Sequence, residues 1–328
     1  MRIGENPEKS KQNLNVLKKH RIVVVFYIPD SNDNYYEDLD IILDKCLKSI
    51  FDSINITTTA VTLINNNSSP KINVIVNKYS KLIDKYVLYN DNKGKVYAVI
   101  NEVRGVFEDF VTITDADIIF FKGWEHQVFS VFLNYPKAGV VSPYPSMYTA
   151  FINNRSVFGI NTFKNKIKYS KIVSDADISL FVKGTNLSDI ILRKNSKTDW
   201  QQKQYFLEKP FPVVVGAYHI VSTYKTLQFR NIYTFPEQIF KNSYEDGFID
   251  YLADKKGLYR LSTIKTHIYH MGNVNEDFIE INNDYVNEEE IDFCKINLKT
   301  DSQIFIFFNR MLGRFLIHFK WNRFYRNK

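Results

Sequence analysis

The sequence contains little cysteine, glycine and proline, and these shortages exclude several classes of protein. Two cysteines among 328 residues cannot build a disulfide scaffold, and they give no sign of an oxidising compartment. With 12 Gly and 9 Pro, the chain is neither collagen-like nor a linker. Its 45% hydrophobic and 24% charged residues are ordinary for a globular chain that buries a sizeable core. We therefore expect one large domain or two small ones.

Long apolar runs are also missing. The run Ile22–Ile28 ends at Pro29 and is too short for the core of a signal peptide. The apolar stretch Ile304–Phe319 is interrupted by Asn309 and Arg310, whereas a membrane span needs about 20 predominantly apolar residues. These patterns predict a cytoplasmic protein that is either dissolved or attached peripherally to the inner face of the cell membrane.

From Arg21 onward, β-branched apolar segments alternate with segments of helical spacing. The predicted strands are Arg21–Ile28, Thr58–Ile64, Tyr86–Tyr89, Phe110–Thr114, Gly139–Ser142, Phe211–Ile220 and Ser262–His270. The predicted helices are Tyr35–Ile54, Lys95–Val106, Trp124–Tyr135 and Tyr244–Lys255. This alternation predicts an α/β fold, a three-layer α/β/α arrangement with a mainly parallel sheet. Polar clusters at 29–34, 65–69, 90–94 and 115–117 follow strands and should converge on one sheet edge.

The triplet Asp115-Ala116-Asp117 is the sharpest chemical signal, because it directly follows the strand Phe110–Thr114. Two carboxylates at this spacing can hold a hard divalent cation, Mn²⁺ or Mg²⁺. Such a cation can neutralise a diphosphate leaving group. A second triplet, Asp175-Ala176-Asp177, lies in an irregular region, and we interpret it as a loop or helix-cap pair.

The order of these segments resembles that of bacterial family 2 glycosyltransferases with the GT-A (Rossmann-like) fold. The segments that carry the resemblance are Val23–Pro29, Thr62–Asn66, Asn92–Gly94 and Thr112–Asp117. The resemblance covers residues 21 to about 273. It implies inverting, metal-dependent transfer of a sugar from a nucleotide-sugar donor, UDP-linked as a family-level expectation. The implied acceptor is a hydroxyl of a glycan or lipid-linked molecule in cell-surface polysaccharide synthesis.

The same resemblance assigns site residues. The implied nucleotide-sugar site comprises Pro29, Asn65, Asn66, Lys93, Gly94 and Asp115. The implied ligands of the Mn²⁺ or Mg²⁺ cofactor are Asp115, Asp117 and His270, with His267 as a competitor for the histidine position.

An inverting transfer needs one general base, and the resemblance places it in the acidic segment 243–250. Asp246 is the candidate base and Glu245 an orienting neighbour. Asp250 falls one residue beyond the common family spacing. A plain helix N-terminal acidic cluster is the alternative interpretation. His219 is a weaker candidate near the acceptor.

The chain divides by composition into three parts. Residues 1–20 form a polar N-terminal arm, and 21–280 form the GT-A domain, with a nucleotide-sugar-binding half (21–142) and an acceptor-binding half (143–280). Residues 281–328 form a basic amphipathic helical segment. Residues 302–328 contain six Lys or Arg and no Asp or Glu, which leaves 37 positive against 36 negative residues elsewhere. The helix either packs its apolar face on the domain or binds an anionic membrane surface.

Other functions fit the sequence less well. A sugar nucleotidylyltransferase usually has a Gly-rich phosphate loop after its first strand, whereas this chain has Pro29-Asp30-Ser31-Asn32-Asp33. A catalytically silent GT-A-like binding protein stays open as an alternative. Basic residues are dispersed outside the tail and no nucleic-acid motif is present, so we expect no nucleic-acid partner.

Overall fold

The computed structural model describes residues 4–10, 18–185, 199–238, 240–241, 244–276, 291–298 and 300–321. Within them lie twelve strands, which we number in chain order. They are β1 His20–Phe26, β2 Thr59–Asn65, β3 Lys85–Leu88, β4 Phe110–Asp115, β5 Ile118–Phe120, β6 Ala138–Ser142, β7 Ile167–Ser170, β8 Gln204–Leu207, β9 Val213–Val215, β10 Val221–Lys225, β11 Tyr259–Ser262 and β12 Ile268–His270. The first five predicted strands are confirmed within two residues at each end.

Ten strands form one mixed sheet in the order β3-β2-β1-β4-β10-β6-β11-β9-β8-β7. The block β3-β2-β1-β4 is parallel throughout, as is the pair β6-β11. Strands β10, β9 and β7 run against the others. The mainly parallel α/β sheet predicted from the sequence is confirmed, with three antiparallel strands inserted in it.

Helices cover the sheet or extend from it. Numbered in chain order, they are α1 Leu39–Ser53, α2 Asn73–Lys78, α3 Lys95–Val103, α4 Trp124–Asn134, α5 Arg155–Phe158, α6 Ile160–Phe163, α7 Asp175–Thr185, α8 Tyr251–Lys255 and α9 Gln303–Leu316. A π-helical turn, Asp246–Asp250, leads into α8, and another, Ile317–Trp321, follows α9. No helix in the described part of the chain has both the length and the apolar character needed to cross a bilayer.

Alternation along the central strands produces the three layers. On β1, Ile22 and Val24 face one hydrophobic cluster, while Val23 and Val25 face another. Helices α1 and α4 cover the first face, and α3 covers the second. Cys46 lies fully buried on α1, and burial raises the pKa of its thiol. It is a core residue, as its helical spacing predicts.

Two predicted strands in the second half of the chain are wrong. Residues 211–220 hold the short strand β9 only, and the chain then crosses to β10 at 221–225. The predicted edge strand 262–270 is divided between β11, inside the sheet, and β12, which pairs with β5. Alternation alone could not reveal this break, because each short piece is apolar and partly buried.

Helix α9 packs on the domain through an unexpected face. The side that contacts α5 carries Ile306, Asn309, Gly313 and Leu316, which are all buried. Asn309 Oδ1 accepts a hydrogen bond from the Ile160 amide at 2.7 Å. Most of the large apolar side chains of the helix are exposed instead; they are Ile304, Phe305, Phe307, Phe308, Met311 and Phe315, joined by Phe319 of the following turn. The alternative in which α9 packs its apolar face on the domain is therefore wrong. The tail residues 322–328, including Arg323, Arg326 and Lys328, lie outside the described residues.

A glycine makes this docking possible. A β-carbon on Gly313 would meet the carbonyl oxygen of Arg155 at 1.9 Å. We expect Gly313→Ala to lower the free energy of unfolding by about 1–3 kcal/mol, since α9 must shift away from α5. Chemical denaturation measures this, with Gly105→Ala as the matched control because its β-carbon would meet no atom closer than 3.8 Å. Equal stability of the two variants would contradict the observed packing.

Candidate active site at the carboxyl edge of the sheet

The loops that follow the parallel strands meet at one edge, as the sequence predicts. Phe26 at the end of β1 pairs with Asn65 of β2, and the neighbouring Val25 pairs with Asp115 of β4. The amide of Ile28, just before Pro29, donates to the Ser68 side chain at 2.9 Å. The loops that follow β1 and β2 are therefore neighbours of the acidic triplet at the end of β4.

The predicted nucleotide-binding asparagines build the walls of this edge. Asn66 Nδ2 donates to Asn92 Oδ1 at 2.8 Å, and the Lys93 amide donates to Asn66 Oδ1 at 2.8 Å. Asn65 Nδ2 donates to the Tyr86 hydroxyl at 2.7 Å. Both asparagine side chains are buried in these contacts. They therefore fix the loop that leads to Gly94.

The residues around Gly94 turn the chain into α3. Gly94 has a φ of 76°, in the region that favours glycine, and it immediately precedes the helix. The Lys93 ammonium is 2.6 Å from the exposed carboxylate of Asp91. The next residue, Lys95, is the first of the helix and points into the site.

Lys95 joins the acidic triplet to the candidate base segment. Its Nζ lies 2.5 Å from Asp115 Oδ1 and 3.5 Å from Glu245 Oε1. Burial opposes the charge of Lys95, but the carboxylates of Asp115 and Glu245 outweigh it and raise its pKa. Burial raises the pKa of Asp115, with Lys95 opposing this and Asp117 adding to it. The lysine thus neutralises part of a dense group of negative charges.

A side-chain contact between Asp117 and His270 is the second polar interaction of the site, after the pairing of Lys95 with the carboxylates. Strand β12 pairs with β5, and this pairing brings His270 Nε2 to 3.1 Å from Asp117 Oδ2. Burial lowers the pKa of His270, but Asp117 and Asp115 outweigh burial and raise it. Asp117 Oδ1 and His270 Nδ1 are buried and have no hydrogen-bond partner among the described residues. Asp117 Oδ1 therefore has unused coordinating capacity beside the imidazole, whereas the unpartnered Nδ1 lies on the side of the ring that faces away from Asp117.

The competing histidine lies elsewhere. His267 donates its backbone amide to the Pro143 carbonyl at 2.8 Å, before the chain turns into β12. Burial lowers the pKa of its imidazole to about 4, and the nearest acidic influence is Asp177. The structure therefore places His270, and not His267, beside Asp117.

The candidate base segment is π-helical, a local form that is frequent at functional sites. Asp246 and Asp250 are four residues apart and lie on the same side of this turn, with a side-chain oxygen of each within 4.8 Å of the other. His219 Nδ1 lies 3.0 Å from Asp250 Oδ2, and Arg260 Nη1 lies 3.1 Å from Asp250 Oδ1. Asp250 is buried, whereas Asp246 is only partly covered.

The two aspartates have opposite pKa shifts. Burial and the neighbouring Asp250 carboxylate raise the pKa of Asp246 above its ordinary value. Burial works against ionised Asp250, but Arg260 and His219 outweigh it and hold the pKa of Asp250 well below its usual range. Environments that separate the pKa values of two carboxyl groups are typical of acid–base sites. The partly covered Asp246 is the one able to exchange a proton.

His219, Asp246 and Asp250 also offer one ligand atom each within 4.8 Å of one another. A cation there would meet the guanidinium of Arg260, which is buried and already paired with Asp250. Among the described residues, the predicted ligands Asp115, Asp117 and His270 do not offer one atom each within that distance of one another.

Two residues of the site, Lys95 and Arg260, escaped the sequence reasoning. A lysine in the first turn of a helix opposes the helix dipole, and this conflict was the available signal for Lys95. Arg260 is a lone charge in an otherwise apolar strand. Its Nη1 donates to the Asp250 carbonyl and its Nη2 to the Ala217 carbonyl, both at 2.6 Å. These long-range partners are not visible in the sequence.

The second triplet has a structural role, as predicted. The Asp177 amide is capped by Ser174 Oγ at 3.1 Å, and Asp177 Oδ1 accepts a hydrogen bond from the Thr266 amide at 2.7 Å. The Asp175 side chain is 91% exposed and pairs with Lys171. Both carboxylates are used at or near the start of α7.

We expect Lys95→Met to destabilise the protein by about 1–3 kcal/mol, since the largely buried carboxylates of Asp115 and Glu245 would lose their shared cation and repel each other. Added Mn²⁺ should raise the melting temperature of Lys95→Met more than that of the wild type, because it restores positive charge. Lys93→Met is the matched control, since Lys93 pairs only with exposed Asp91. A Mn²⁺ response equal to that of wild type would contradict this account.

The fold is that of an α/β protein with a carboxylate-lined edge at the ends of its parallel strands, and comparisons with known proteins refine the class. The sequence model of the family described as glycosyl transferase family 2 matches residues 36–181. No curated protein sequence matches the chain. With the family match, the resemblance seen in the motifs is confirmed for this part of the chain: residues 36–181 match glycosyl transferase family 2, and the sheet around them is GT-A-like.

Several solved structures are similar to this chain at low identity. Residues 1–349 of S. aureus TarS match with 14% identity and a TM-score of 0.45, covering 77% of this chain and 60% of that one. The mannosyltransferase PcManGT from Pyrobaculum calidifontis, in complex with GDP-Man and Mn²⁺, matches with 13% identity and a TM-score of 0.43, covering 77% and 56%. TarS 1–349 in complex with UDP-GlcNAc matches with 17% identity and a TM-score of 0.31, covering 39% and 34%. This chain therefore spans less than two thirds of these proteins.

Proposed function

We propose that this protein transfers a sugar, with inversion and with a divalent metal, from a nucleotide-sugar to a hydroxyl of a glycan or lipid-linked acceptor. We further propose a UDP-linked donor and a role in cell-surface polysaccharide synthesis. The observation that carries the proposal is the bridge from Asp115 through Lys95 to Glu245. It joins the acidic triplet to the segment of Asp246, so that donor-side and acceptor-side groups lie next to each other.

In this proposal Asp117 and His270 hold the metal ion, and Asp115, whose charge acts on His270, completes the site when the ion binds. The buried, unpartnered Asp117 Oδ1 and the adjacent imidazole form the mixed oxygen and nitrogen donor set that suits Mn²⁺, and Mg²⁺ would use the carboxylates. When bound, the ion supplies positive charge to the diphosphate of the donor.

In the proposed step, the oxygen of the acceptor hydroxyl bonds to the anomeric carbon of the sugar, and Asp246 accepts the proton of that hydroxyl. The bond from that carbon to the diphosphate breaks, and the diphosphate leaves with the electron pair. Asp250, fixed by Arg260 and His219, stays ionised and raises the proton affinity of Asp246. The Lys95 ammonium lies where it can balance negative charge on the leaving group.

The walls of the donor site follow from the loop contacts. In this proposal Pro29 and the loop around Lys93 and Gly94 face the nucleotide, and Asn65 and Asn66 hold these loops in place. The amides act by keeping the backbone preorganised, which lowers the ordering cost of binding.

The second part of the proposal concerns the membrane. The exposed aromatic face of α9, with the basic residues Arg314 and Lys320 near it, has the composition of a helix that lies in a bilayer interface. We propose peripheral attachment to the cytoplasmic leaflet through residues 281–328, which would bring the enzyme to a lipid-linked acceptor.

A thermal-shift panel tests the donor assignment. The probes are UDP, UDP-GlcNAc, GDP-Man and other nucleotide-sugars, each with Mn²⁺ and with EDTA. A bound ligand at 100 times its Kd stabilises the native state by about 2.7 kcal/mol, which raises the melting temperature by several degrees. We expect a rise with at least one UDP-sugar in Mn²⁺ and none in EDTA. Equal shifts in Mn²⁺ and EDTA would contradict the metal-dependent part of the proposal.

A further inference from the structure

A second cavity lies away from the candidate active site and shares no lining residue with it. Its volume is about 570 Å³, within the range of small-molecule sites. Tyr135, Leu207, Pro210 and Tyr259 contribute apolar surface to its lining. Its polar rim is dominated by lysines, namely Lys137, Lys164, Lys166, Lys168 and Lys209.

The charge of this cavity is not balanced. Glu208 is the one acidic residue in its lining. Of the five lysines, Lys137 pairs with Asp301, while the other four make no ion pair among the described residues. Nearby, Lys225 is buried, and burial followed by the charge of Lys137 lowers its pKa to about 8. Four unpaired ammonium groups around one cavity form a site for an anion.

The cavity continues into the exposed face of α9. Lys137 Nζ lies 5.9 Å from the centre of the Phe305 ring, in the first turn of that helix. Asn161, another lining residue, belongs to α6, which packs against α9. Beyond Phe305 the helix exposes Phe307 and Phe308. A cationic cavity and an unpartnered aromatic face are therefore parts of one surface.

We propose that this lysine cavity binds the phosphate head group of an anionic phospholipid, while the aromatic face of α9 lies in the bilayer interface. This inference rests on the membrane attachment proposed above and adds a head-group site to it. A lipid is favoured over a soluble phosphorylated glycan because the cavity adjoins the aromatic face, which a soluble ligand would leave exposed to water. Each lysine that lies close to an anionic leaflet strengthens the attraction between the protein and that leaflet.

Vesicle sedimentation of the full chain tests the site. The vesicles are phosphatidylcholine alone, or phosphatidylcholine with 30% phosphatidylglycerol. The test variant, Lys164→Gln/Lys166→Gln/Lys168→Gln/Lys209→Gln, should bind the anionic vesicles roughly 100-fold more weakly than the wild type. A control with the same loss of charge on exposed lysines of α1, α2 and their surroundings, Lys48→Gln/Lys71→Gln/Lys78→Gln/Lys81→Gln, should lose less than about fivefold.

Further variants and ligands in the same assay distinguish head-group binding from membrane attachment in general. Phe307→Ser/Phe308→Ser should weaken binding to both kinds of vesicle, because it removes interfacial burial. If the wild type binds vesicles and the two lysine variants bind equally, the head-group site is wrong but membrane attachment stands. If the wild type binds neither vesicle, both are wrong. If the cavity variant loses only binding of soluble polyphosphate, the ligand is a soluble polyanion and the lipid assignment is overturned. UDP-induced thermal shifts should persist in every variant, which separates this site from the transferase site.

Discussion

Asp117→Ala is expected to weaken Mn²⁺-dependent binding of the nucleotide-sugar donor by at least about 100-fold and to reduce transfer by roughly 1000-fold. Asp117 supplies the buried oxygen that has no partner in the described structure, and its other oxygen holds His270. Without this carboxylate, His270 and Asp115 remain, but Asp115 is already engaged by Lys95. The substitution therefore removes the central donor of the proposed metal site.

Titration calorimetry with UDP in Mn²⁺ and in EDTA measures this effect. Asp117→Asn keeps the size of the side chain while removing its charge, and it replaces the alanine variant if that variant does not fold. Asp175→Ala is the matched control, because it removes the first carboxylate of the other Asp-Ala-Asp triplet, which is exposed. Asp175→Ala should behave as the wild type does. Wild-type binding in Asp117→Ala, which has no side-chain oxygen, would rule out this residue as a metal ligand.

Asp246→Asn is the second large effect. We expect kcat to fall by roughly 10²–10⁴, the contribution typical of a general base, while UDP binding in Mn²⁺ is retained. The amide keeps the size of the side chain but cannot accept the proton of the acceptor. A loss of UDP binding in proportion to the loss of kcat would instead indicate a donor-binding role for Asp246.

The pH dependence of Asp250→Asn distinguishes the two aspartates. The base must be ionised to act, so activity falls as the pH drops through the pKa of Asp246. Burial is the largest influence that raises this pKa, and the charge of the Asp250 carboxylate is the second largest. Its removal, which also frees the charge of Arg260, should move the acid limb of the pH–rate profile to lower pH. An acid limb that stays in place would show that Asp246 does not set it.

The first half of the fold was predictable because local patterns and tertiary structure agree there. Strands such as β1 and β2 are continuous apolar runs, and the triplet at 115–117 follows directly at the end of β4. The rule that ligands bind at the carboxyl ends of parallel strands then gave the position of the candidate site. The helices between the strands had clear apolar stripes that their burial confirms.

The second half depends on contacts that the sequence does not encode locally. Strand β10 enters the sheet between β4 and β6 and runs antiparallel to both, although it comes from distant sequence. Lys95 acts on Asp115 and Glu245, which lie 20 and 150 positions away in the sequence. Arg260 acts on Asp250 and Ala217, which lie 10 and 43 positions away. The helical wheel of α9 revealed its amphipathic character but not its docking face, because that face is defined by the close approach of Gly313 to Arg155.

The most direct test of the central claim follows the turnover of a donor by proton NMR. In the presence of Mn²⁺, water can replace the acceptor slowly, so the first-formed free sugar reports the stereochemistry without knowledge of the natural acceptor. For a UDP-α-linked sugar we predict that the β-anomer appears first, that EDTA abolishes turnover, and that Asp246→Asn lowers it by at least about 100-fold. An initial α-anomer, or turnover that EDTA leaves unchanged, would contradict the proposed metal-dependent inverting transfer.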